Sequence, residues 1–456
     1  MLGNRGPQLS RPVKNVLLAV AAAAVAAALF FAGYFTYYLT LDDGLRSLLW
    51  VKKTADEQYY QAIDDDAFWQ AAIDGAVSSL DKYSAYYTDV EYDQQTDADK
   101  GILAGMGASF FAGSNKISKV AIGSPLFFAQ SDADFAGGWV TGIARAEGEM
   151  QNTFTLTALS AQMKGLGAGD TVSVRISSEG AEDTDAATCS VVQVTFAQYH
   201  ESYVLYAAKG RAYAVLYGED GEGVWTDVSA YTSLDERVPE GRAYLRLVQF
   251  NGGAAEEFAA AAEQYKADGV SALLFDLRND GGGRLDILQR IAAYFIADSQ
   301  EKNAVVMRAR YRGGQETVSR AAGNHYAEFF GGSEIFVAAN GNTASASEAL
   351  LGVMIDYGAI GFEDIYITDT VQKEGYSAAT YGKGIMQTTF VNRGTGEAFK
   401  LTTAQIYWPA GRSIHGVGIT VGDGAVASPA ASFGEYGDPE LDSIFSAVSA
   451  RADQEK

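Results

Sequence analysis

The chain has 456 residues, room for about two to four domains, and its 48% hydrophobic and 20% charged residues are the balance of a protein that buries real cores. Its 34 Lys and Arg stand against 57 Asp and Glu, a formal charge of -23, which argues against a nucleic-acid partner because phosphate binding needs clustered cations. A single cysteine, Cys189, excludes an intrachain disulfide and reads as a small buried hydrophobe, and His200, His325 and His415 fall in no metal-ligand spacing, so no metal or cofactor is implied.

Residues 16–41 carry no charge and are mostly Ala, Val, Leu and Phe. About 20 such residues span a bilayer core as a helix. Arg5, Arg11 and Lys14 precede the run, Asp42 and Asp43 follow it, and Tyr34, Tyr37 and Tyr38 suit the headgroup zone at its outer end. The positive side stays in the cytoplasm, so the pattern predicts a single-pass anchor in the cell membrane with the rest of the chain outside. A cleaved signal peptide has a shorter apolar region, of about 7–15 residues.

Residues 42–99 read as helical, with Ile63, Ala67, Trp69, Ile73, Val77 and Leu80 approximating a stripe. LDKYSAYYTDVEY then makes a polar, aromatic loop, a segment that by itself suggests no chemistry. Residues 100–205 change to short β-rich runs broken by Gly, Asp and Ser clusters, with one helix-like stretch at 157–164, which predicts a small sheet domain with a helix. In it Gly105, Met106 and Gly107 form a glycine-bounded turn whose N–H groups suit a carboxylate, although a plain turn fits the same residues.

Beyond residue 206, strand and helix signals alternate. Strands are expected at 243–250, 272–277 and 334–339, and helices at 254–267, 286–296 and 346–357. The apolar run ALLFDL suits a strand buried on both faces. The alternation predicts a layered α/β domain, within an α/β (α+β) multidomain chain.

Three features carry candidate chemistry. Ser345 follows strand EIFVAA and the turn NGNTA and precedes a helix, where unpaired N–H groups and the helix dipole favour an oxyanion. Ser345-Ala-Ser-Glu348 is also the S-x-x-E pattern of a capping box. Lys383 lies in YGKGIMQ between two glycines that permit close backbone approach, and a desolvated lysine can serve as a base; Gln387 follows four residues later. An ordinary surface lysine in a glycine turn fits the same local sequence. DLRNDGGG, residues 276–283, is a strand end, three glycines and a helix start. Such a turn offers N–H groups to an oxyanion or a phosphate, but neither GxGxxG nor GKS is present.

In their order along the chain these motifs resemble the carboxyl-terminal processing (tail-specific) proteases of peptidase family S41. LDKYSAYY with GMGASF, IGSP and LGAGDTVSVRI resemble the approach to and body of that family's PDZ domain. YLRLVQFNGGAAEEF, LLFDLRNDGGGRLD, NGNTASASEALLGVM, TYGKGIMQTTF, LTTAQIYWPAGRSIHGVGI and DPELDSIF resemble its protease core and closing helix. The resemblance implies Ser345 as nucleophile, Lys383 as general base and Gln387 as its support. It implies the N–H groups of Ala346 and Gly282 as oxyanion donors, and Gly105, Met106 and Gly107 as the peptide-carboxylate loop. It assigns His415 no catalytic role. It further implies a protein or peptide substrate with an exposed C-terminus, cleaved through an acyl-enzyme, and leaves room for a homo-oligomer.

The sequence departs from the family pattern in three places. Asn279-Asp280-Gly281-Gly282 stands where Asn-Pro-Gly-Gly is usual. The region after IGSP is divergent. Lys383 lies 38 positions beyond Ser345, a longer interval than usual, with the extra residues expected as a loop or hairpin near 363–379. That interval keeps open a catalytically inactive, membrane-tethered peptide-binding module.

Overall fold

The computed structural model describes residues 10–130, 134–146, 148–297, 303–368, 378–428 and 434–454. The chain forms two compact units, Met1–Leu80 and Asp81–Lys456.

In the first unit, helix Arg11–Thr40 buries none of its residues. Its 30 residues give about 45 Å at 1.5 Å per residue. Among the described residues it is the one helix long and apolar enough to cross a membrane, a candidate anchor or signal segment. Helices Asp43–Gln58 and Asp65–Ser78 follow. Each begins at an aspartate whose carboxylate accepts an otherwise orphaned N–H: Asp42 from Gly44 at 2.8 Å, and Asp64 from Ala67 at 3.1 Å. Lys52 joins the two helices by pairing with Asp56 and, at 2.7 Å, with Asp65.

The second unit is built on an eight-stranded sheet. In spatial order its strands are Gly223–Asp227, Arg211–Tyr217, Val204–Ala208, Arg242–Leu247, Ala272–Asp276, Glu334–Asn340, Ile365–Thr368 and Val426–Ala427. The first three pairings are antiparallel and the last four parallel. Ala272–Asp276 is buried at every position, as the apolar residues 272–275 anticipate. Helices Ala254–Asp268, Leu285–Ala292 and Ala346–Asp356 cover one face through Phe258, Leu288, Ile291 and Leu350. Helix Pro439–Gln454 covers the other through Leu441, Ile444, Phe445 and Val448. A second sheet, Ala85–Tyr87, Ala398–Tyr407, Val305–Tyr311 and Glu316–Arg320, carries strand Ile385–Val391 beside Ala398–Tyr407.

Buried Arg278, just past the end of strand Ala272–Asp276, ties that strand to the start of the last helix. Its guanidinium donates to Asp276 (2.7 Å), Asp438 (2.8 Å) and Glu440 (3.0 Å). A fork of donors shared by three carboxylates is the geometry in which a buried arginine is tolerated.

Residues 100–205 contain the expected small sheet and helix. Gln151–Asn152, Trp139–Arg145, Thr171–Ser177 and Cys189–Thr195 form four strands, accompanied by helix Leu156–Met163 and the hairpin Ala108–Phe110 with Ile117–Val120. Leu126, Val140, Leu159 and Val174 make their own core.

Three expectations need correction. Cys189 is half-buried, not buried, its thiol beside Asp183 at the start of an edge strand. The stretch 42–99 is interrupted by strand Ala85–Tyr87, which pairs with Lys400, Phe399 and Ala398. Of the loop or hairpin expected at 363–379, residues 365–368 are a buried strand of the main sheet; residues 369–377 lie outside the described residues. Short strand IYIT escapes notice because acidic residues bracket it.

Candidate active site

The candidate residues gather at the carboxyl ends of the parallel strands, where open α/β sheets place their ligand crevices. Strand Glu334–Asn340 runs into a turn held by side chains. Asn340 N–H donates to Thr343 Oγ1 (2.9 Å), Thr343 Oγ1 donates to Leu277 carbonyl (2.8 Å), and Asn340 Oδ1 accepts from Asn279 and Asn342 N–H. The turn delivers Ser345 at φ 58° and ψ −112°. A positive φ is rare outside glycine and costs on the order of 1–3 kcal/mol, a cost met mainly at functional sites. This backbone is not the extended one a capping hydroxyl uses, and the Ser345 side chain makes no cap hydrogen bond. The Glu348 arm of the expected box accepts from Ser345 N–H at 3.1 Å.

Glu348 does more than cap. Fully buried, it accepts from Thr380 Oγ1 (2.6 Å), Gly382 N–H (2.7 Å) and Lys383 N–H (2.9 Å) as well as from Ser345 N–H. One carboxylate thus fastens the serine segment to the lysine segment across the long interval. Burial pushes its pKa up, and these four donors oppose the rise. Sequence reading missed this role, because S-x-x-E indicates the arm to Ser345 and nothing of residues 380–383.

Lys383 sits half-buried between glycines pressed onto the segment 414–418. A Cβ at Gly382 would lie 2.8 Å from Gly418 N, and one at Gly384 would lie 2.8 Å from His415 N. The Lys383 ammonium lies 4.9 Å above the Tyr83 ring. Among the described residues it has no hydrogen-bond or ion-pair partner and makes no hydrogen bond to Ser345. Burial lowers its pKa, the Lys400 charge lowers it further, and Tyr381, Asp81 and Glu348 pull the other way. Tyr83 Oη donates to Tyr381 Oη (3.0 Å), which also receives Lys82 Nζ (2.5 Å). The segment that suggested no chemistry therefore roofs the lysine, and its aromatic run LDKYSAYY was the available signal.

The glycine turn forms the opposite wall. At Gly282, φ 91°, an added Cβ would lie 2.7 Å from Ala346 N and 2.9 Å from Ser345 Cβ, so only glycine permits this approach. Gly282 N–H, expected as an oxyanion donor, is not open: it donates to Asp280 Oδ1 at 2.8 Å, as short polar side chains do two residues along a turn. Ala346 and Gly283 N–H have no acceptor among the described residues. Gln387 lines the same space, but its amide donates to Thr402 Oγ1 (3.1 Å) and not toward the lysine.

Ser345, Ala346, Lys383, Gln387 and Gly281, Gly282 and Gly283 all line one cavity of about 680 Å³, with Leu288, Met307 and Ile406 as apolar lining. Tyr87, Tyr92, Asp99 and Lys100 close it from the preceding segment. Among the described residues no group of His, Cys, Asp and Glu is arranged to hold a metal ion. Met106 and Gly107, away from this cavity, present N–H groups without acceptors among the described residues, and their carbonyls accept from Leu126 and Ala121 (2.8 Å each). Gly105 is committed to the strand pair with Ala197.

A strained serine at a helix start, a half-buried lysine and a glycine turn on one crevice of an α/β sheet define a candidate serine-hydrolase site. Residues 241–421 match the sequence profile of peptidase family S41. The chain is similar to the probable CtpA-like serine protease of Staphylococcus saprophyticus subsp. saprophyticus, 27% identical over 380 residues, 83% of this chain and 65% of that protein. Its counterpart in Staphylococcus haemolyticus is 26% identical over 387 residues, 84% and 65% of the two chains. This chain thus spans 65% of the length of these curated relatives. Among solved structures, the photosystem II D1 C-terminal processing protease aligns at TM-score 0.44 and 20% identity, over 82% of this chain and 87% of that one. A putative S41 protease from Bacteroides fragilis aligns at 0.47 and 14%, over 86% and 91%.

Proposed function

We propose that this protein is a membrane-anchored serine endopeptidase that cleaves proteins outside the membrane near their C-terminus. The observation that carries the reading is the Glu348 clamp, which holds Ser345 and Lys383 on one cavity. Lys383, its pKa lowered by burial and by Lys400, takes the Ser345 hydroxyl proton. Ser345 attacks the peptide carbonyl, and Ala346 N–H with an open glycine N–H of the turn receives the oxyanion. The acyl-enzyme is then hydrolysed. Gln387 shapes the wall beside the lysine. The sheet at residues 100–205 serves as a PDZ-like domain, with the Gly105, Met106 and Gly107 turn taking the substrate carboxylate, and residues 206–456 form the protease core. Helix Arg11–Thr40 is the anchor, and no cofactor takes part.

The test is hydrolysis of an unfolded protein by the full chain in detergent, with Ser345→Ala and Lys383→Ala beside it. Each substitution should remove at least about 10⁴-fold of turnover. The missing hydrogen bond between Ser345 and Lys383 favours a second reading, an inactive peptide-binding module. That reading wins if the parent cleaves nothing but binds C-terminal peptides.

A further inference from the structure

We propose that Asp280 is a positioning residue that works as an uncharged acid: its carboxyl holds the glycine turn against Ser345, and its ionisation disables the oxyanion site. The proposal rests on the peptidase reading above.

Asp280 is one of the contacts between the two walls of the site. Its carbonyl accepts from Ala344 N–H (2.9 Å) and Ser347 Oγ (3.0 Å), the residues flanking Ser345-Ala346. Its Oδ1 accepts from Gly282 N–H (2.8 Å). Gly282 in turn packs directly on Ala346 N and Ser345 Cβ. A shift of this one residue therefore moves both the nucleophile loop and the turn that faces it.

The charge state follows from the other oxygen. Asp280 has no exposed surface, and its Oδ2 is buried without a hydrogen-bond partner among the described residues. A carboxylate with one oxygen buried and unpaired is far costlier than the neutral acid. Burial is the dominant influence and pushes the pKa up to about 8. Gly282 N–H, Ser347 and the charges of Arg246, on strand Arg242–Leu247, and Lys119, on strand Ile117–Val120, pull it down without cancelling that rise. Near neutral pH the proton stays on, Oδ1 still accepts from Gly282, and no negative charge stands beside the developing oxyanion. At higher pH an anion appears one peptide from the site, where low dielectric makes like-charge repulsion large.

The experiment is the pH dependence of turnover for the full chain in detergent, comparing the parent, Asp280→Asn and Asp280→Ala. The parent's turnover should fall about tenfold per pH unit above about 8. Asp280→Asn keeps an acceptor and cannot ionise, so its profile should lose the alkaline fall. Asp280→Ala lacks the acceptor and should lower kcat at every pH by about 10- to 100-fold. An alkaline fall of equal size in Asp280→Asn overturns the proposal. So does the absence, in the infrared difference between parent and Asp280→Asn at pH 7, of a protonated-carboxyl band. That band does not depend on turnover: a parent that shows it but cleaves nothing refutes the peptidase reading and leaves the protonated clamp standing.

Discussion

Two buried carboxyl groups stand on either side of Ser345, and they differ in how many donors reach them. Glu348, on the lysine side, receives four, spread over both oxygens. Asp280, on the glycine side, receives one on Oδ1 and none on Oδ2. Burial raises the pKa of both. The contrast teaches that burial sets the direction of a shift, while donor count decides how strongly it is opposed. Glu348 is built as a clamp with both oxygens satisfied, and Asp280 as one with a single oxygen satisfied.

The comparison breaks most visibly at Glu348. Glu348→Ala orphans up to four donors and leaves a cavity, and should cost about 3 kcal/mol or more in denaturant unfolding. It should also cut turnover by at least about 100-fold, because the serine and lysine segments lose their shared anchor. Unfolding within about 0.5 kcal/mol of the parent would mean the clamp is not what joins them.

Asp280 sharpens the contrast through stability. An unfolded aspartate releases its proton near pH 4, as is usual for the free side chain, and the folded one retains it to about 8. Between those values the folded state binds more protons, so stability falls as pH rises, by about 1.4 kcal/mol per unit at most. Asp280→Asn removes this contribution. Its melting temperature should therefore exceed the parent's increasingly from pH 5 to pH 8, and parallel curves would refute the neutral acid. The smallest effect is expected at Lys400, which depresses the Lys383 pKa by its charge. Lys400→Met should move the acid limb of the pH–activity profile to higher pH, and Lys400→Arg should leave it in place.

Much of the fold was legible because its signals are local. ALLF and IFVAA are unbroken apolar runs, and both lie in parallel strands of the main sheet. The helical periods at 254–267 and 346–357 match observed helices to within a residue. The positions of Ser345, Lys383 and Ala346 on one cavity also followed from motif order. What remained hidden is contact between distant segments. Glu348 looked like a cap because spacing reveals a partner three residues back and not one 35 residues ahead. Asp280 looked like a turn residue because burial of a single side-chain oxygen leaves no trace in the sequence. Tyr83 and Tyr381 are 298 positions apart and meet only in the fold.

The Arg278 junction has a consequence in time. Synthesis proceeds from the N-terminus, so Arg278 leaves the ribosome about 160 residues before Asp438 and Glu440, which supply two of its three carboxylates. Until they arrive, a guanidinium destined for burial is incompletely neutralised beside the unfinished glycine turn. The glycine turn is thus among the last parts of the molecule to close, and a nascent chain carries Ser345 well before the wall that faces it is complete.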